Sequence, residues 1–171
     1  MLEAQAVKPL SVLPMLQQTD KPMPSPPAVA DTVLNGKAIH ITYNTPHMRG
    51  RVIFGGLVPY DHWWRTGANP ATTFTTEGDL MIGTLHVPAG KYTLFTIPST
   101  GTWQLILNKQ VGQWGLEYHP ERDLGRTPMK SKTLATAQEI MSISFEDVKG
   151  KTAELHIRWD KADEYVKVTA Q

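Results

Sequence analysis

The feature that most constrains this chain is a two-residue apolar rhythm, interrupted by turn chemistry every ~8–12 residues. Ile39, Ile41 and Tyr43 alternate with Ala38, His40 and Thr42, and Ala153, Leu155, Ile157 and Trp159 alternate with Glu154, His156 and Arg158. Successive side chains of a strand point to opposite faces, so each run predicts one buried and one solvated face. On this pattern His40 and His156 are expected to face solvent. Between residues 31–34 and 37–43 stand Asn35 and Gly36, which tolerate the positive φ angles of a type I′ turn and predict a tight hairpin. Further strands are expected over 71–76, 80–82, 84–87, 91–98 and 103–108, then over 129–134, 140–145, 153–159 and 165–168. Residues 99–102 and 160–163 read as turns. No window carries a long apolar repeat at helical spacing, and helical turns are expected only near 119–124 and 136–139. The fold class expected is all-β: a single-domain antiparallel β-sandwich or jelly-roll-like fold with long loops.

A length of 171 residues suits one hydrophobic core. The expected division is a flexible leader over 1–30, carrying Pro9, Pro14, Pro22, Pro24, Pro26 and Pro27, and an all-β domain over 31–171. Such a polar, Pro-rich leader cannot bury enough apolar surface to offset its ordering entropy. The formal charge is +1, and Lys and Arg are scattered, which argues against nucleic acid as a partner. The absence of cysteine excludes disulfides, thiolate catalysis and cysteine-held metal. No apolar run approaches the ~20 residues of a transmembrane helix. Residues 1–30 lack the basic-then-apolar layout of an intact secretory signal.

Standard catalytic motifs are missing. There is no nucleophile elbow, and Gly150-Lys151-Thr152 ends a phosphate-loop pattern whose first glycine position holds Phe145. His40, His47, His62, His86, His119 and His156 are dispersed without zinc-ligand spacing. A metal would have to assemble from distant loops, such as Asp61 and His62 with His119. The expectation is no cofactor and no metal.

The densest stretch runs from Arg49 to Thr72, where glycines, prolines, tryptophans and arginines crowd one irregular segment. A loop this long needs a reason to be ordered. Arg65 and Asn69 are the leading pair for a ligand: a guanidinium fork binds carboxylate or phosphate, and a carboxamide adds a donor and an acceptor. The competing reading pairs Arg65 with a buried acid or loop carbonyls and makes Asn69 a turn residue before Pro70. Arg51, Tyr60 and Trp64 extend the candidate site, an indole beside charged groups suiting a sugar ring or a peptide side chain. Trp63 and Trp64 are adjacent, so in extended backbone they face opposite ways and at least one belongs to the core. Trp114 and Tyr118 complete the candidate set if the long loops gather at one end of the fold.

Gly50-Arg51, the run Ile53-Phe54-Gly55-Gly56-Leu57-Val58-Pro59-Tyr60 and Trp64-Arg65-Thr66-Gly67-Ala68-Asn69 together resemble the bacterial domain-of-unknown-function family 2911. Val87-Pro88-Ala89-Gly90-Lys91-Tyr92, Leu107-Asn108-Lys109 and Gln113-Trp114-Gly115 extend the resemblance over about residues 31–168. At Asn44-Thr45 and Asp61-His62 the chain departs from that pattern. The resemblance implies an extracytoplasmic, periplasmic or secreted protein whose signal has been removed, and it supplies no activity. The function expected is a non-catalytic binding module for a small polar ligand or envelope glycan. Two alternatives stand beside it: a hydrolase or isomerase using Asp61, His62 or Glu117, and a structural or interaction domain.

Overall fold

The computed structural model describes residues 25–171. The first hairpin pairs β1 (Pro27–Leu34) with β2 (Lys37–Asn44), Leu34 opposite Lys37. Only Asn35 and Gly36 remain in the turn, at φ 51° and 77°, the left-handed values that an Asn-Gly pair accommodates. β1 therefore starts at Pro27, ahead of the boundary expected at Asp31, and a proline is tolerated at a strand's first position. Residues 1–24 of the flexible leader expected over 1–30 lie outside the described residues.

The following strands are β3 (Thr73–Thr76), β4 (Leu80–Ile82), β5 (Leu85–Val87), β6 (Gly90–Ile97), β7 (Gln104–Asn108), β8 (Asp123–Pro128), β9 (Lys130–Lys149) and β10 (Thr152–Ala170). They form two antiparallel sheets, one in the order β1-β2-β3-β6-β7-β8 and one in the order β5-β4-β10-β9. The alternating residues meet between the sheets: Ile39, Ile41, Phe74, Leu94, Leu105 and Leu107 from the first, and Leu80, Ile82, Ile143, Leu155, Ile157 and Val168 from the second, all buried. The chain is all-β and sandwich-like. Among the described residues the helical structure is one 3-10 turn, Pro120–Arg122, inside the window expected for it.

Four expectations fail in the last hairpin. Residues 130–134 and 140–145 belong to one strand, β9, which also absorbs the helical turn expected at 136–139. The turn expected at 160–163 is a bend within β10, with register shifts on both sides of Asp160 and φ 52° at that residue. Bulged residues bend a strand without ending it. The bend folds β10 back on itself, and this buries His156, which alternation alone placed in solvent. Its Nδ1 lies 2.7 Å from Asp163 Oδ1 and its Nε2 2.9 Å from Glu154 Oε1, and its ring stacks on Tyr165 at 5.0 Å. Period decides the face of a strand; it does not decide what covers that face.

Residues 46–48, in the segment between β2 and β3, pair with the outer edge of β9 around Ile140. The Met141 N–H donates to Pro46 O (3.0 Å), and the Met48 N–H donates to Glu139 O (2.9 Å). Tyr43, on β2, donates its hydroxyl proton to Ile143 O (3.3 Å) and accepts from the Ile143 N–H (3.0 Å). From Glu139 to Ile143, where it is satisfied in this way, the edge cannot recruit another strand.

A candidate anion-binding cleft

Past the end of β3, the chain beside β6 is supplied by the long segment itself. Trp64 and Thr96 exchange backbone hydrogen bonds of 2.7 and 3.0 Å, which fixes the faces of the two tryptophans. Trp64 turns into the core and stacks on Trp159 at 5.9 Å, and Phe54 stands edge-on to both, as well as to Trp103. Trp63 turns the other way, against Phe95 and Tyr118.

After Trp64 the backbone twists sharply. Thr66 and Asn69 have φ values of 56° and 61°. Asparagine enters the left-handed region readily, whereas a β-branched threonine does so only under constraint. Thr66 is held by its hydroxyl, 3.1 Å from Trp64 O and 2.9 Å from Thr96 Oγ1, and by Thr72, whose hydroxyl donates to Thr66 O (2.9 Å). Asn69 O accepts from the Gly115 N–H (3.1 Å), which ties the segment to the loop between β7 and β8. A Cβ at Gly115 would sit 2.5 Å from Asn69 O and 2.6 Å from Arg65 Cδ, so the two chains approach this closely only with glycine there.

These constraints frame a cleft of about 440 Å³. Trp64 and Trp159 form its floor, Arg51, Arg65 and Asn69 its polar wall, and Leu57, Pro59, Trp63 and Leu116 its apolar margin. Val58, Gly67, Ala68 and Gly115 supply buried backbone around it. Arg65 is half-buried, and burial lowers its pKa from the ordinary value. Among the described residues its hydrogen bond is a long one from Nε to Gly67 O (3.4 Å), and no carboxylate pairs with it. Arg51 is anchored by carbonyls: its Nε donates to Met48 O (2.9 Å) and its Nη2 to His47 O (2.6 Å). No aspartate or glutamate lines the cleft among the described residues. Two guanidinium groups thus share one concave site without a counter-ion among the described residues, an arrangement suited to an anion.

The cleft and the strands that hold it lie within the region matched by a family model described as a protein of unknown function, DUF2911, which covers residues 25–168. The chain belongs to this family. No curated protein and no solved structure matches it.

In this DUF2911 chain four of the seven expected site residues, Arg51, Trp64, Arg65 and Asn69, line one cleft. The other three do not. Tyr60 lies on a second cleft of about 460 Å³, with Ser131, Lys132 and Glu164. Trp114 is exposed outside the lining, although its neighbours Gly115 and Leu116 belong to it. Tyr118 packs its ring against Phe95 at 4.7 Å and donates its hydroxyl proton to Asp123 Oδ2 (2.6 Å), and burial with that bond raises its pKa. The acid–base residues named for an enzyme are separated: His62 lines the cleft, whereas Asp61 and Glu117 do not. Glu117 instead meets His119 (3.1 Å), and that hydrogen bond lowers its pKa. Sequence reading missed the contribution of Trp159, which periodicity marks only as core, and of Leu57 and Leu116, whose loop positions carry no periodic signal.

Proposed function

We propose that this chain is an extracytoplasmic, non-catalytic binding module for a small polar ligand. One observation carries the reading: the Arg65 guanidinium, half-buried in the cleft wall, has no acid partner among the described residues. An arginine that only ordered its loop would be met by a carboxylate or by several carbonyls at short range. The placement outside the cytoplasm rests on the family resemblance, and finding the native protein in a cytosolic fraction would overturn it.

Trp63, Trp64 and Trp159 line the cleft, so occupancy is expected to change tryptophan emission. Titration with sugars, muropeptides and short anions should give a saturable change that Arg65→Ala abolishes. Emission unchanged across the panel, or binding unaffected by Arg65→Ala, would sink the proposal. A structural role predicts instead that Arg65→Ala mainly lowers the melting temperature.

A catalytic reading is favoured at one other place. Glu164 is buried on the second cleft, accepts a hydrogen bond from the Ser131 hydroxyl (2.7 Å), and is raised to about 7 by burial. A carboxyl group poised near neutrality in a concave site has the acidity of a general acid or base. That reading requires a hydrolytic or isomerising activity that Glu164→Gln removes while leaving cleft binding intact.

A further inference from the structure

We infer that the cleft takes a small amphipathic anion, with a carboxylate or phosphate head on Arg65 and an apolar body against Trp63, Trp64 and Leu116. The inference rests on the binding reading above and narrows it from polar ligands in general to anions carrying an apolar part. The first argument is charge. The lining holds Arg51 and Arg65 and, among the described residues, no aspartate or glutamate. A half-buried guanidinium has lost part of its hydration, and a ligand anion restores that loss by charge-assisted hydrogen bonds. Sugar hydroxyls offer acceptors but no compensating charge. Arg51 is already oriented by two backbone carbonyls, so it presents its charge without a large ordering cost.

The second argument is the apolar margin. Leu57 is 48% exposed and Leu116 70% exposed, both at the cleft. Together with the indoles of the margin and floor they present apolar surface in the same cleft as the cationic wall. A glycan face would be served by several hydroxyl and amide partners, and here the hydroxyl, imidazole and amide side chains of the described lining are Ser25, His62 and Asn69, one of each kind. The volume of about 440 Å³ falls at the compact end of the range for small-molecule sites, ~300–1,000 Å³. A one-ring or short-chain acid fits that space better than an extended oligomer.

Calorimetric titration with four probes tests this: 3-phenylpropionate, phenyl phosphate, 3-phenylpropionamide and N-acetylglucosamine. Either or both of the two anions should bind, the tighter one identifying the head group, and the amide should bind at least tenfold more weakly. Arg65→Gln should weaken anion binding at least tenfold. Leu116 is largely solvated, so Leu116→Asp should leave the melting temperature unchanged while repelling the anions from the cleft mouth. That second variant decides the matter if Arg65→Gln folds poorly. An amide that binds as tightly as the acids, or anion affinity indifferent to Leu116→Asp, overturns the inference. Binding of N-acetylglucosamine without binding of either anion overturns it too but leaves the polar-ligand reading standing. Failure of all four probes, together with silence of the wider panel above, removes both.

Discussion

At the scale of single residues, function and stability pull in different directions. Arg65 gives up solvation in the cleft wall, and Thr66 beside it holds a left-handed backbone that costs a β-branched residue on the order of 1–3 kcal/mol. Both stand at the same bend, and on the binding reading proposed above the bend aims the guanidinium into the cleft. Glu164 is a second such residue. Its carboxyl is raised from 4.5 to about 7 in the folded state, so between those values the native protein holds a proton that the unfolded chain has released. Stability from this group is therefore complete below about pH 4.5 and is lost as pH rises toward 7. Glu164→Gln is expected to flatten that decline and to stabilise the protein at pH 8, by a few kcal/mol at most. Denaturant midpoints measured across this range would check it; a variant that tracks the native protein at every pH would show that Glu164 does not titrate there. The turn at Asn35-Gly36 was legible from residue type, and Asn69 as a turn residue stood as one of two readings, whereas the left-handed φ of Thr66 was not legible, because threonine ordinarily avoids that region.

At the scale of elements, the contacts that matter join the two sheets. Tyr43 reaches from β2 to the edge of β9 and serves both the N–H and the C=O of Ile143. Tyr43→Phe would keep the ring in the core and leave two buried backbone groups unpaired. A loss of about 1–3 kcal/mol is expected, with faster hydrogen exchange at the Ile143 amide. Unchanged exchange there would mean that water or another donor satisfies the edge. The core faces of the strands were legible because Ile39, Ile41 and Tyr43, like Leu155, Ile157 and Trp159, keep strict alternation. The continuity of β10 was not. Asp160, Lys161, Ala162 and Asp163 have turn composition, and their bulged strand conformation is imposed by pairing with β9.

At the scale of the whole molecule, one aromatic cluster links the core to the cleft. Trp159 comes from the second sheet, and Trp64 pairs with the first through Thr96; their indoles stack near-parallel, with centroids 5.9 Å apart. Trp159→Ala removes a fully buried side chain and the floor of the cleft together. The expected cost is about 3–5 kcal/mol, read as a lower denaturant midpoint with an unchanged slope. A loss below about 1 kcal/mol would show that the cluster repacks and that cleft and core are independent. Global pH dependence also has an acid limb. Glu146, held to about 2 chiefly by its hydrogen bonds with Arg158, contributes stability above its ordinary 4.5 that is lost as pH falls toward 2.

By itself the sequence determined the fold class, the first hairpin, the inward faces of the main strands and the segment that supplies most of the cleft lining. These follow from local chemistry: a two-residue period and an Asn-Gly turn act on neighbouring residues, whatever surrounds them. Only the tertiary structure decided that Arg51, Trp64, Arg65 and Asn69 converge while Tyr60, Trp114 and Tyr118 do not. It alone buried His156 and placed Glu164 on a separate cleft. The reason is that loops from different strands meet through backbone contacts such as Asn69 with Gly115 and Trp64 with Thr96, whose partners are far apart in the chain. No periodicity encodes such pairings, and an arginine's counter-ion, or its lack of one, is settled only where they close.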